Sequence, residues 1–304
     1  MVTGRARGSV GECIMSQSSR AIASVIKPEA VREGAGVNLR RSIGTRTLDH
    51  LDPFLLLDHF ESANAADYEA GFPFHPHRGI ETVTVVRRGQ IRHADSLGHS
   101  GAIGAGDIQW MTAGSGILHE EMPQVRPEGI GGLQLWLNLP AREKMSRPKY
   151  RDLEAGRLVE TPTDDGARIR VIAGDAEGGR LVGPVEGLAV APKFIDVVLP
   201  PGASFREAVP RGHTAFAYVD DGEVRFGEAR TAVPAPALAI FADGEVVEAF
   251  AGPTGGRFLL AAARPLHEPI ARYGPFVMNT RAEIDQTLQE LRTGRFIRKE
   301  PRDG

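Results

Sequence analysis

The chain has 304 residues, 41 % of them hydrophobic, and 36 Lys and Arg stand against 39 Asp and Glu for a net charge of −3. That length allows two ordinary domains with substantial cores, and the interspersed charge argues against a dedicated nucleic-acid binder, so no direct nucleic-acid partner is expected. No apolar run approaches the ~18 residues of a membrane helix, and the single cysteine, Cys13, rules out an internal disulfide, so a cytoplasmic chain with no membrane partner is expected.

Glycine (36) and proline (21) together exceed one residue in six while helix-period stretches are scarce, which favours short strands joined by tight turns. Residues 1–21 read as a flexible tail without the hydrophobic block of a secretory signal, and Met15 offers an alternative start. Residues 22–140 read as a first barrel. Within it, Ile80–Val86 is rich in β-branched residues and runs into a turn at Arg88-Gly89-Gln90. Leu133–Leu139 alternates, with Leu133, Leu135, Leu137 and Leu139 on one face and Gln134, Trp136 and Asn138 on the other. The charged, Pro-marked stretch 141–160 reads as a linker and 161–270 as a second barrel. Its strands are expected at Phe194–Leu199, Ala215–Val219, Leu238–Phe241, Val246–Phe250 and Phe258–Ala261. Turns are expected at Pro200-Pro201-Gly202, Asp220-Asp221-Gly222 and Ala242-Asp243-Gly244. In 271–304, Thr280 and Glu283 have capping-box spacing, Ile284, Leu288 and Leu291 form an apolar stripe, and Gly294 supplies a stop. A helix followed by a solvated basic tail, Arg295 to Arg302, is the expectation.

A faint repeat supports two copies of one fold. Gly89-Gln90-Ile91-Arg92 and Gly222-Glu223-Val224-Arg225 each follow a β-rich run, 133 residues apart, and Gly79 then matches Gly212. The same offset puts Ala208 and Pro210 opposite His75 and His77.

The chemistry concentrates in the first copy. His75-Pro76-His77 sets two imidazoles two positions apart, and on a strand residues i and i+2 share a face. His119-Glu120-Glu121 repeats the device, pairing His119 with Glu121 and turning Glu120 away. Two such strands facing one another inside a barrel would present three imidazoles and one carboxylate. That nitrogen and oxygen set suits Fe, Mn, Ni, Cu or Zn and lacks the thiolates of a structural zinc site. One isolated histidine is more often a satisfied core or loop residue; two paired sets reverse that balance. Glu81 shares the parity of His75 and His77, so it reads either as a ligand or as a hydrogen-bonded support. His93 and His99 read as surface polar residues or as supports, while His50, His59 and His267 are unpaired and the lone His213 reads as structural. Gly106-Asp107 and Gly114-Ser115-Gly116 read as turns rather than phosphate cradles, and Ser115 lacks the flanks of a nucleophile elbow.

His75-Pro76-His77-Arg78-Gly79-Ile80-Glu81-Thr82, then Gly106-Asp107-Ile108-Gln109-Trp110-Met111-Thr112-Ala113-Gly114, then Gly116-Ile117-Leu118-His119 with Glu121-Met122-Pro123 closely resemble the signature of the pirin family of the cupin superfamily. Leu51-Asp52-Pro53-Phe54, Gly132-Leu133-Gln134-Leu135-Trp136 and Gly274-Pro275-Phe276-Val277-Met278-Asn279-Thr280 are also pirin-like, and the likeness spans about residues 22–295. Thr112-Ala113-Gly114 stands where generic cupins have Pro-x-Gly, and seven residues rather than six separate Glu81 from Gly89; both departures are pirin-like. The resemblance implies an all-β bicupin, two cupin-type antiparallel β-barrels with a C-terminal helix. It further implies one divalent metal per chain, usually Fe2+, in the N-terminal barrel on His75, His77, His119 and Glu121, with Glu81 left out. Family members are similar to quercetin 2,3-dioxygenases, which implies a flavonol and O2 as small-molecule partners and Glu121 as the catalytic base. Other members resemble transcriptional co-regulators, so the alternative expectation is a non-enzymatic iron-binding redox sensor with a regulatory protein partner.

Overall fold

β-Branched and apolar runs punctuated by glycine fold as strands almost throughout residues 17–298, which the structure, a computed structural model, describes. Residues 1–16, most of the expected tail, and 299–304 lie outside the described residues, as does Cys13. In chain order the first half holds β1 (Ile22–Ile26), β2 (Glu29–Glu33), β3 (Val37–Ile43), β4 (Phe54–Ser62), β5 (Phe72–His77) and β6 (Ile80–Arg88). It continues with β7 (Gln90–Asp95), β8 (Ser100–Gly104), β9 (Ile108–Thr112), β10 (Ile117–Pro123), β11 (Ile130–Asn138) and β12 (Lys149–Leu153). A seven-stranded sheet, β12-β9-β6-β11-β4-β3-β2, and a four-stranded one, β5-β10-β7-β8, form the first barrel. A nine-stranded sheet built mainly from residues 161–263 forms the second. Among the described residues no helix is long and apolar enough to cross a membrane.

Two expected boundaries move. β1 does not join the barrel that follows it; it pairs with Ala237–Phe241 of the second, Val25 opposite Ala239 and Ile26 opposite Leu238. β12 lies inside the expected linker yet closes the first barrel's sheet, Lys149 opposite Thr112 and Leu153 opposite Ile108. Each barrel is thus completed by the strand that leads into the other. Alternation identifies a strand but carries no information on its distant partner. The last residues of the expected tail are docked as well: Arg20 is buried and donates to the carbonyls of His213, Ala242 and Pro210 at 3.0, 3.1 and 2.8 Å.

The expected turn at Arg88-Gly89-Gln90 is a corner and not a hairpin, because β6 and β7 belong to different sheets. Gly89 has φ +79, and a Cβ there would lie 2.3 Å from the Gly129 carbonyl oxygen. Gly222 repeats this with φ +66 and the Gly255 carbonyl oxygen at 2.4 Å, so the strand Thr214–Phe226 runs through the second expected turn. Val246–Ala263 is likewise one strand where two were expected. Only glycine accepts both the positive φ and the close carbonyl, which is why this part of the repeat is visible in the sequence.

The alternation of Leu133–Leu139 is real, but its apolar face points out of the first barrel. Leu133, Leu135 and Leu137 pack with Val83, Val85 and Trp110 against Phe194, Phe216, Tyr218 and Leu259 of the second barrel. Burial of that face, at roughly 25 cal/mol per Å2, holds the barrels together. Gln134 and Trp136 are thereby turned into the first barrel. The second barrel's interior is instead filled: Phe205, Phe226, Phe241 and Phe258 interlock edge-to-face among buried valines and alanines.

At the C-terminus a hairpin, Ala271–Tyr273 with Phe276–Met278, precedes α1 (Arg281–Arg292). The capping box is formed: the Thr280 side chain accepts from the Glu283 N–H and Glu283 accepts from the Thr280 N–H. Ile284 is buried, with Leu288 and Leu291 packed beside it. The start of the expected solvated tail is not solvated, for Phe296 is buried against Phe276. Arg78 fastens this segment to the first barrel. Its buried guanidinium donates to Ser115 O at 2.7 Å, Thr287 Oγ1 at 3.0 Å, Glu290 Oε2 at 2.7 Å and Phe296 O at 3.3 Å. Arg78→Met leaves these acceptors without a donor, so a loss of about 3 kcal/mol in urea unfolding is expected. Limited trypsin digestion should then cut the C-terminal helix first; unchanged stability and cleavage would contradict the anchoring role.

Candidate metal centre

β5 and β10 are hydrogen-bonded neighbours, with His119 directly opposite His75. The two strands therefore lie side by side and do not face one another across the barrel, as the spacing alone suggested. Cross-strand neighbours place their Cβ atoms about 5 Å apart, closer than opposing barrel walls come. Between His119 and Glu121 the register shifts, Glu121 falling opposite Phe72, so β5 carries an extra residue near Pro73, which has no N–H to give to the ladder.

Three imidazoles converge. Ring centroids are 4.8 Å apart for His75 and His77, 4.4 Å for His75 and His119, and 5.1 Å for His77 and His119. One nitrogen from each lies within 4.8 Å of the others. His75 Nδ1 is 3.0 Å from the Pro73 carbonyl oxygen, and His119 Nδ1 is 3.2 Å from the Tyr150 hydroxyl. His119 Nε2 and His77 Nδ1 are buried with no partner in the protein. Orphaned buried nitrogens cost about 1–3 kcal/mol each, and a cation among the three rings would remove that cost. Burial, and then the neighbouring histidines, hold His77 and His119 well below the usual histidine range. Both are neutral at pH 7, the form whose lone pair binds metal. The residues present fit a metal.

Glu121 is buried beside this group but is not drawn into it. Gln134 Nε2 donates to its two carboxylate oxygens at 2.9 and 3.0 Å, and Thr84 Oγ1 donates to one at 3.4 Å. Glu120 points to the other face and is half-buried. Glu81 is not among the clustered groups. Gly79, at φ +78, ends the β5 geometry, so parity no longer relates Glu81 to His77. On β6 it accepts from Thr112 Oγ1 at 2.6 Å, and its alternation with Val83 and Val85 turns it toward the second barrel.

Several supports escaped the sequence reading. Trp136 and His77 meet edge-to-face with ring centroids 5.0 Å apart, and the Arg272 guanidinium lies 5.4 Å from the Trp136 ring centroid. Tyr150 lies on β12, in the expected linker. His93 is buried opposite Glu121, neither ring nitrogen hydrogen-bonded, with Asp152 Oδ2 3.6 Å from Nε2, whereas His99 is exposed and pairs with Asp95 at 2.9 Å. His59 sits at the barrel contact, its Nδ1 3.0 Å from the Tyr218 hydroxyl.

A cavity of about 550 Å3 opens onto the site, lined by His75, His77, Glu121, Gln134, Trp136 and Arg272 among others. A separate small pocket of about 30 Å3 shares Phe72, Glu121 and Gln134 with it and is otherwise lined mainly by apolar residues such as Phe60, Tyr68, Ile91 and Ile130. A larger cleft, about 1060 Å3, lies between the barrels, but no histidine lines it, and its arginines are paired, Arg87, Arg170 and Arg257 with Asp196 and Arg168 with Glu160.

In the second barrel Ala208 is the cross-strand partner of Val246, where the first has His75 and His119. Neither can bind a cation, and the space is filled. Elemental analysis of metal-loaded protein should return close to one equivalent per chain; a value near two would contradict this asymmetry.

Comparison with known proteins agrees with the two-barrel fold. The Pirin family model matches residues 36–137, and the model described as Pirin C-terminal cupin domain matches 194–297. A pirin-like protein of Caulobacter vibrioides is 43 % identical over 277 residues, covering 91 % of this chain and 99 % of that one. Human pirin is 39 % identical, covering 92 % and 95 %. The crystal structure of a quercetin 2,3-dioxygenase from Acinetobacter baumannii superposes with a TM-score of 0.81 at 33 % identity, covering 91 % and 98 %.

Proposed function

From the premise that the chain belongs to the pirin family of two-barrel cupins, we propose that it is a metal-dependent dioxygenase that opens flavonols such as quercetin with O2. The observation that carries this reading is the convergence of three imidazoles, two of them neutral and fully buried, at the mouth of a half-apolar cavity with a buried carboxylate beside them. His75, His77, His119 and Glu121 hold one divalent transition metal, Fe2+, though the donor set also accepts Mn, Ni, Cu or Zn. When bound, the metal supplies Lewis acidity and open coordination positions for substrate and dioxygen.

The rest falls to the protein. Glu121 takes the proton of the flavonol hydroxyl. Gln134, donating to both of its oxygens, keeps the carboxylate turned to the cavity. Phe72 and Trp136 line the cavity that takes the flavonol rings, and the apolar residues around them limit water there. Arg272, stacked over Trp136, adds positive charge where the deprotonated flavonol arrives. A cytoplasmic location belongs to the proposal and suits a chain with one cysteine.

Support for the substrate class comes from the likeness to the A. baumannii quercetin 2,3-dioxygenase over nearly the whole chain. Aerobic and anaerobic assays of iron-loaded protein with quercetin test it. The expected result is one O2 consumed and one CO released per flavonol. Fully iron-loaded protein that takes up no oxygen with any flavonol would overturn the enzyme reading, and capture of a protein partner by that loaded form would then favour a regulatory metal sensor.

A further inference from the structure

We propose that Tyr150 is a positioning residue for the metal, fixing the tautomer and the plane of His119 through the hydrogen bond between its hydroxyl and His119 Nδ1. The inference rests on the metal reading above and adds to it a residue from outside the family signature.

The Tyr150 hydroxyl lies 3.2 Å from His119 Nδ1, and His119 Nε2 is buried without a partner. A phenol can accept from Nδ1–H or donate to a bare Nδ1; in the first arrangement, the one assigned here, the lone pair resides on Nε2, the nitrogen left free for the cluster. In the opposite tautomer a proton sits on Nε2 and blocks the ligand position. An imidazole's free nitrogen is set by what its other nitrogen bonds to. Tyr150 is itself held. Its ring stacks on His93 at 5.9 Å and 15°, its backbone pairs with Met111, and its side chain packs against the apolar cluster that contains Met111 and Ile117.

The three imidazoles are not supported alike. His75 leans on the carbonyl of Pro73, two residues away on its own strand. His119 depends on β12, the strand that leads into the second barrel. The exchange of lead-in strands thus delivers a support to the metal site, and the order of the second barrel's entry segment becomes a condition for ordering His119.

The molecule contains its own control. Tyr218 and His59 form the same kind of buried phenol–imidazole hydrogen bond, 3.0 Å long, at the barrel contact and away from the cluster. Tyr150→Phe and Tyr218→Phe should cost the metal-free fold similar small amounts. Only Tyr150→Phe should weaken Zn2+ binding, by about 10–100-fold, in competition with a chromophoric chelator. Independently of any metal, 15N-histidine NMR of the metal-free protein should find His119 as a single Nδ1–H tautomer in the wild type and as a mixture in Tyr150→Phe. Unchanged Zn2+ affinity in Tyr150→Phe, an equal drop in Tyr218→Phe, or one unaltered His119 tautomer would each overturn the proposal. Wild-type protein that binds no Zn2+ would instead count against the metal reading, and the tautomer measurement would still decide the role of Tyr150.

Discussion

Replacing His77 or His119 by alanine is expected to strip the metal from the protein. Structural zinc sites bind with roughly 10–16 kcal/mol, and on that scale one of four ligands accounts for about 3 kcal/mol, or about two powers of ten in affinity. Of the three converging imidazoles, His77 and His119 are the buried pair, each with one ring nitrogen that no protein group partners. Glu120→Ala serves as the comparison. It removes a neighbour of both His119 and Glu121 in sequence, but its side chain lies on the other face of β10, and full occupancy should persist. Elemental analysis after gel filtration reads the outcome, with circular dichroism to establish folding. Full occupancy in both histidine variants would refute the ligand assignment.

Glu121→Gln is expected to slow turnover of quercetin by ~10²–10⁴-fold per bound metal, the usual cost of losing a general base. The structure makes this substitution informative. Gln134 donates to both carboxylate oxygens, so a glutamine at 121 can present its carbonyl oxygen to the same amide and keep its place. Shape and one oxygen donor survive, while charge and basicity do not. Metal content must be measured on the same sample, since the neutral donor binds a cation more weakly. A variant that turns over at the wild-type rate per metal would remove Glu121 from the proton transfer and leave it only a ligand.

What the sequence discloses about this site follows from the period of a strand. His75 with His77 and His119 with Glu121 are each two residues apart, and that local relation survives folding unchanged. What joins the pairs is the register of β5 on β10, set across more than forty residues, and no local pattern encodes it. Glu81 illustrates the limit, because its parity with His77 holds only while the strand continues, and Gly79 ends it. In β11 the alternation separates leucines from Gln134 and Trp136 correctly. It is silent on which face is inward, and here the polar face lines the cavity because the leucines serve the contact between barrels. Tyr150 was hidden in a stretch whose charge and proline resemble a linker, so β12 was not expected there at all, and the strand-rich reading from residue 22 onward does not reveal that β1 pairs with the second barrel. Thr280 and Glu283 lie at the other extreme, since a capping box is complete within four residues.

The central claim is that one metal ion sits in the first barrel among His75, His77, His119 and Glu121. Anomalous diffraction at the absorption edge of the bound metal, from crystals of the loaded protein, tests it most directly. A single strong peak is expected at about 2.0–2.2 Å from one nitrogen of each histidine and from a Glu121 oxygen, with nothing in the second barrel near Ala208 and Val246. A peak elsewhere, or one that leaves any of the three histidines unligated, would contradict the account.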